Sequence, residues 1–114
     1  MPRPRAQERA PGAIAPTGPY AAVARPARAV LCGDFNLTPD GREYARLLNP
    51  FADGTPALRD AWRLCHGDRP HAPTCGIFDR RQWPEGPHCR DFLFVSAPLA
   101  GCVADIAVLS LIHI

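Results

Sequence analysis

The sequence predicts an α/β fold, and three observations predict it. Two short runs, "RAVLCG" at 28–33 and "DFLFVS" at 91–96, carry apolar residues at successive positions, the pattern of strands covered on both faces. Two stretches between them have the three-and-four spacing of short helices. Glycine and proline, 9 and 14 of 114 residues, punctuate the intervals. Strands and helices in alternation, in a chain of this length, fit one small domain with a single core.

The elements follow in order. Residues 1–27 hold Pro2, Pro4, Pro11, Pro16, Pro19 and Pro26, with Arg3, Arg5, Arg9 and Arg25 against the single acid Glu8. With no helical or alternating period, they read as a disordered or extended lead-in, leaving 28–114 as the folded part. Prolines break the apolar continuity that a signal peptide needs, and no stretch approaches a membrane span. The expected compartment is the cytoplasm, and no oligomer is implied. After the strand at 28–33 and a turn ending at Pro39, Asp40 and Glu43 have the spacing of a capping box. Tyr44, Leu47 and Leu48 then share one helical face, which Asn49 and Pro50 end. Residues 55–66 form a second helix candidate with Leu58, Ala61, Trp62 and Cys65 on one side. Residues 67–90 are rich in glycine and proline and read as loop, with a short strand candidate at 74–78. After the strand at 91–96, which Pro98 stops, residues 102–112 form a last strand candidate.

Composition excludes little and suggests little. All 13 basic residues are arginine, which fits either a GC-rich genome or phosphate recognition by guanidinium forks. A net charge of +2 is too small to argue for nucleic-acid binding. Five cysteines, an odd number without C-x-x-C spacing, argue against a disulfide framework.

The chemistry-bearing residues begin at the carboxyl end of the first strand, where α/β folds collect ligands. "GDFN" (33–36) places Asp34 and Asn36 on one side of an extended chain, with Phe35 turned into packing. A carboxylate can hold a metal ion or activate water, and an amide can donate to a developing oxyanion. The same two residues would also serve simply as Asx-turn formers. Asp91, opening "DFLFVS", either pairs with Arg90 or Arg81 or orients a catalytic histidine.

"GDFN" after an apolar strand, "LRDAWR" (58–63), "PHAPT" (70–74) and "RDFLFVS" (90–96) occur here in the order they take in the endonuclease/exonuclease/phosphatase superfamily, which the chain resembles over residues 28–108. These are metal-dependent phosphodiesterases and phosphomonoesterases, DNase I-like nucleases among them. The resemblance implies a four-layer α/β sandwich (DNase I-like) and dependence on Mg²⁺ or Mn²⁺. It implies a phosphate-ester substrate: nucleic acid, phospholipid headgroup or sugar phosphate. It casts Asp34 as the residue that positions or deprotonates the attacking water and Asn36 as the contact to the scissile phosphate, both near a metal site. Asp91 corresponds to the aspartate that hydrogen-bonds the catalytic histidine, and Thr74 to a loop threonine beside the substrate.

The departures are specific. Cys89 stands where the family carries arginine, and Arg90 where it carries an aliphatic residue. Residues 1–29 offer no match to the family's metal-binding glutamate, and Glu8 sits in no matching context. No Ser-Asp-His follows Asp91, and His113, between isoleucines and without a preceding aspartate, does not match that histidine. The expectation is a sandwich incomplete at both ends and a chain inactive in isolation. Two other readings stand beside it: a zinc module built on Cys65, His71, Cys75 and His88, and a non-catalytic interaction domain.

Overall fold

The computed structural model describes residues 18–21 and 26–109. Most of the lead-in expected over 1–27 therefore lies outside the described residues; within it, Gly18–Tyr20 form one 3-10 turn. Strand β1 spans Val30–Asp34, helix α1 Arg42–Leu47, strand β2 Leu58–Asp60, helix α2 Ala61–His66 and strand β3 Asp91–Ser96. A 3-10 segment, Ala97–Cys102, follows β3.

The three strands form one sheet in the order β1-β3-β2, antiparallel throughout. In the register of β1 on β3, Leu31 faces Phe94, Gly33 faces Phe92 and Asp34 faces Asp91. Beyond the strand ends the pairing continues: the Ala29 carbonyl accepts from the Ser96 amide, and the Ala29 amide donates to the Ser96 hydroxyl. Because opposed residues in an antiparallel pair project to one face, Asp34 and Asp91 share a face and Phe92 and Phe94 lie on the other. The core forms on the phenylalanine face. Phe94 is fully buried, and Phe92, Tyr44 and Cys89 surround it with Phe35, Leu37, Leu47, Leu48 and Leu58. The face of α1 expected from sequence is the face that packs.

Several expectations are corrected. β1 is not covered on both faces. All five of its residues are exposed, Val30 at 57% and Leu31 at 43%. Among the described residues it lies at the edge of the sheet, and the packing groups gather on β3. The helix expected over 55–66 starts only at Ala61. Residues 58–60 pair with β3 instead, and Asp60 caps α2 by accepting the Trp62 amide at 2.9 Å. The N-cap of α1 is Gly41 rather than Asp40. A hydrogen bond from Thr38 engages the Asp40 carboxylate and lowers its pKa, so it is not used as a cap. The strand candidate at 74–78 reduces to a single bridge, Cys75 to His88. Residues 103–109 form no strand. The Ile106 amide donates to Asp105 and its carbonyl accepts from His66 Nε2 of α2, so side chains take the groups a ladder would need at this residue. Residues 110–112 of that candidate lie outside the described residues. The described residues hold one sheet; a second sheet and four layers are not among them.

Candidate active site

β1 ends at Asp34 and the chain turns sharply. Asp34 Oδ1 accepts the Asn36 amide at 2.9 Å, closing an Asx-turn. Asn36 sits at φ +52°, the left-handed region that asparagine enters more readily than most residues. The turn, not strand alternation, therefore sets where Asn36 points. Phe35 does pack inward, edge-on to Phe94 at 5.1 Å. The turn-forming role is real for Asp34, and it uses one oxygen, so Oδ2 is left over.

Asp91 stands directly across the ladder from Asp34. Like charges in opposed positions destabilise a sheet. Among the described residues neither carboxylate has a cationic partner: Asp91 pairs with neither Arg90 nor Arg81, and no histidine bonds it. Asp91 is exposed, so solvent meets the cost expected for a buried acid. Both carboxylates line a cavity of about 380 Å³ that also touches Thr74, Asp60 and His71.

Thr74 holds the start of β3 in place. Its Oγ1 accepts from the Arg90 amide at 3.0 Å and the Asp91 amide at 3.2 Å. Both lone pairs are used, and the hydroxyl is also hydrogen-bonded to the Cys89 sulfur, so Thr74 is a structural clamp first.

Arg90, expected from sequence only as an ion-pair partner of Asp91, does something else at this end of the sheet. Its backbone carbonyl accepts the Phe35 amide at 3.0 Å, which sets its side chain beside the turn. Nη1 donates to Asn36 Oδ1 at 2.9 Å, Nε donates to His88 Nε2 at 2.8 Å, and the guanidinium lies 4.7 Å from the centre of the Trp83 ring. Guanidinium cannot accept, so the Asn36 oxygen faces Arg90 and its NH₂ faces away. For the same reason His88 is the tautomer protonated at Nδ1, which donates to the Gly86 carbonyl at 2.7 Å. A cation on Oδ1 opposes a second cation there, so Asn36 is a poor metal ligand in this geometry.

A group that sequence reasoning missed lies in the wall of the cavity. Asp60, 4% exposed, accepts from the Tyr44 hydroxyl at 2.6 Å, from His71 Nε2 at 2.6 Å and from the Trp62 amide. Arg63 Nε donates to the Tyr44 oxygen at 2.8 Å. Burial first, then the bond to Asp60, pushes the Tyr44 pKa up to about 12. The usable signal was Asp60 directly before an apolar helical run, an N-cap pattern.

The zinc reading is not borne out by this arrangement. His71 is engaged with Asp60, whereas Cys75 and His88 contact each other at 3.3 Å. Among the described residues no group of three or more His, Cys, Asp or Glu is arranged to hold a metal ion. The residues do fit a weaker demand. A magnesium ion is commonly held by one or two carboxylates, with water and substrate oxygens completing the shell, and the opposed Asp34 and Asp91 present two.

The comparison with protein families identifies the class of protein. The family model described as the Endonuclease/Exonuclease/phosphatase family matches residues 6–108, and the chain belongs to that family. No curated protein and no solved structure matches it. Family membership places the chain among hydrolases of phosphate esters. No helix among the described residues is long and apolar enough to cross a membrane.

Proposed function

We propose that the Asp34–Asp91 end of the sheet is a Mg²⁺- or Mn²⁺-dependent phosphoesterase site. One observation carries the reading: two carboxylates without cationic partners among the described residues oppose each other across β1 and β3, beside an asparagine whose NH₂ is turned outward. A bound divalent cation would polarise the phosphoryl oxygens and acidify water. Asp34 Oδ2 and the Asp91 carboxylate would hold that cation, and Asp34 would orient the attacking water and accept its proton. Asn36 Nδ2 would donate to a phosphoryl oxygen as charge builds there. Thr74 fixes the Asp91 backbone and would stand beside the substrate.

The substrate is a phosphodiester or phosphomonoester of nucleic acid, phospholipid headgroup or sugar. With only two carboxylates gathered among the described residues, the isolated chain is expected to turn over slowly or not at all. The test therefore has two readouts. Mn²⁺ should broaden the backbone resonances of residues 34–36 and 90–91 in the wild-type chain and leave them sharp in Asp34→Ala. Any Mg²⁺-dependent hydrolysis of bis-p-nitrophenyl phosphate should disappear in the same variant. Broadening or hydrolysis that survives Asp34→Ala refutes the site, as does an absence of Mn²⁺ broadening in the wild type.

A further inference from the structure

Arg90 presents an unusual electrostatic situation. Its half-buried guanidinium has five N–H donors. Nε is taken by His88, and Nη1 by the Asn36 side-chain and backbone oxygens at 2.9 and 3.4 Å. Among the described residues Nη2 has no partner, and no carboxylate lies within ion-pair distance of the group. Its neighbour in sequence, Asp91, makes no ion pair with it.

Holding a cation partly out of water without an anion is costly, yet this one is held firmly. Trp83 supplies an aromatic face at 4.7 Å. His88 is fixed in turn by Gly86, and the Cys75 thiol touches the same imidazole nitrogen. The platform orients a fork of donors beside the GDFN turn. The Glu85 carboxylate lies 3.8 Å from the same His88 nitrogen on the Nε side, and Nη2 is left without an anion among the described residues. Arginine forks of this kind match phosphoryl oxygens in charge and geometry.

We propose that Arg90 is the anion-binding residue of this chain: the guanidinium clamped by Trp83 and His88 takes a non-bridging phosphoryl oxygen through Nη2 while holding Asn36 with its NH₂ toward the same phosphate. This rests on the reading of the sheet end as a phosphate-ester site and adds a recognition residue to it. It also explains why Arg90, at a position where the resemblance expects an aliphatic side chain, is packed with such care.

The experiment is calorimetric titration of inorganic phosphate into the full chain at low ionic strength, with and without MgCl₂, where an exposed charge is least screened. Arg90→Gln should weaken phosphate binding at least about tenfold, the lower end for a hydrogen bond to a charged group. Arg90→Lys, which keeps the charge but loses the fork, should fall between the two. Should the glutamine variant fail to fold by circular dichroism, Trp83→Leu removes the platform alone and should also weaken binding. Wild-type affinity in Arg90→Gln or in Trp83→Leu overturns the proposal, as does a wild-type chain that binds no phosphate. Phosphate binding that depends on Arg90, in a chain where Asp34→Ala changes neither Mn²⁺ broadening nor hydrolysis, would sink the phosphoesterase reading and leave this one standing.

Discussion

Replacing Asp60 by alanine should be among the most damaging single changes to this fold. The carboxylate is 4% exposed and receives three hydrogen bonds, from Trp62 N, Tyr44 Oη and His71 Nε2. Loss of the N-cap costs about 1 kcal/mol. Each bond from Tyr44 and His71 to a charged acceptor contributes about 1.5–3 kcal/mol, and its donor is left buried and unpaired. The His71 side chain is only 6% exposed and cannot turn to water. These contributions share one network and do not add fully, so the expected loss is about 3–5 kcal/mol, a large part of the 5–15 kcal/mol typical of a domain. In urea unfolding followed by tryptophan fluorescence, this lowers the midpoint by about 2 M for a chain of this size. Asp60→Asn keeps the volume but turns an NH₂ toward a donor and should lose about 2–3 kcal/mol. In a double-mutant cycle, Tyr44→Phe and Asp60→Ala should couple by about 1 kcal/mol or more. An Asp60→Ala loss below about 1 kcal/mol, with an unchanged slope, would refute the idea that Asp60 anchors β2, α2 and the loop at His71 together.

Three further outcomes follow from the same geometry. Tyr44 is neutral in the fold with its pKa raised from 10.0 to about 12, so its contribution is fully present below pH 10 and is lost as pH rises toward 12; the full rise corresponds to about 2.7 kcal/mol, and screening by solvent near the exposed Arg63 reduces the expected loss to about 1–2 kcal/mol. Urea midpoints measured across that window should fall in the wild type and fall less steeply in Tyr44→Phe, where the buried Cys89 thiol still titrates. Gly76 has φ +73°, and a Cβ there would overlap the Gly86 carbonyl; Gly76→Ala should lose about 2 kcal/mol or more of stability and, by displacing His88, weaken phosphate binding. Iodoacetamide with mass-spectrometric mapping should modify the exposed Cys32 and Cys102 first. Cys89, 5% exposed and with its thiol pKa pushed by burial up to about 11, should react only on unfolding.

Some of this was legible along the chain. The strand ending at GDFN, the apolar face of Tyr44, Leu47 and Leu48, and the strand at 91–96 are local patterns, and local patterns survive folding because they follow backbone periodicity. Where local signals were ambiguous, tertiary pairing settled them. Leu58–Asp60 fits a helix by spacing but lies beside β3 and becomes a strand. The apolar run at 30–32 fits a buried strand but, among the described residues, lies at the edge of the sheet. The last apolar run spends its backbone groups on Asp105 and His66 rather than on a ladder.

The sequence by itself determined the family, the strand-and-turn that carries Asp34 and Asn36, and the helical face that closes the core. Each is written in adjacent residues. Only the tertiary structure decided that the strands run antiparallel, that Asp34 meets Asp91, and that Arg90 reaches Asn36 across 54 residues. A shift of one residue in the register of β1 on β3 would move Asp91 to the opposite face and separate the two carboxylates. Nothing in either strand's own pattern states that register. The packing of Phe92 and Phe94 into the core, with the clamp of Thr74 on the start of β3, holds it.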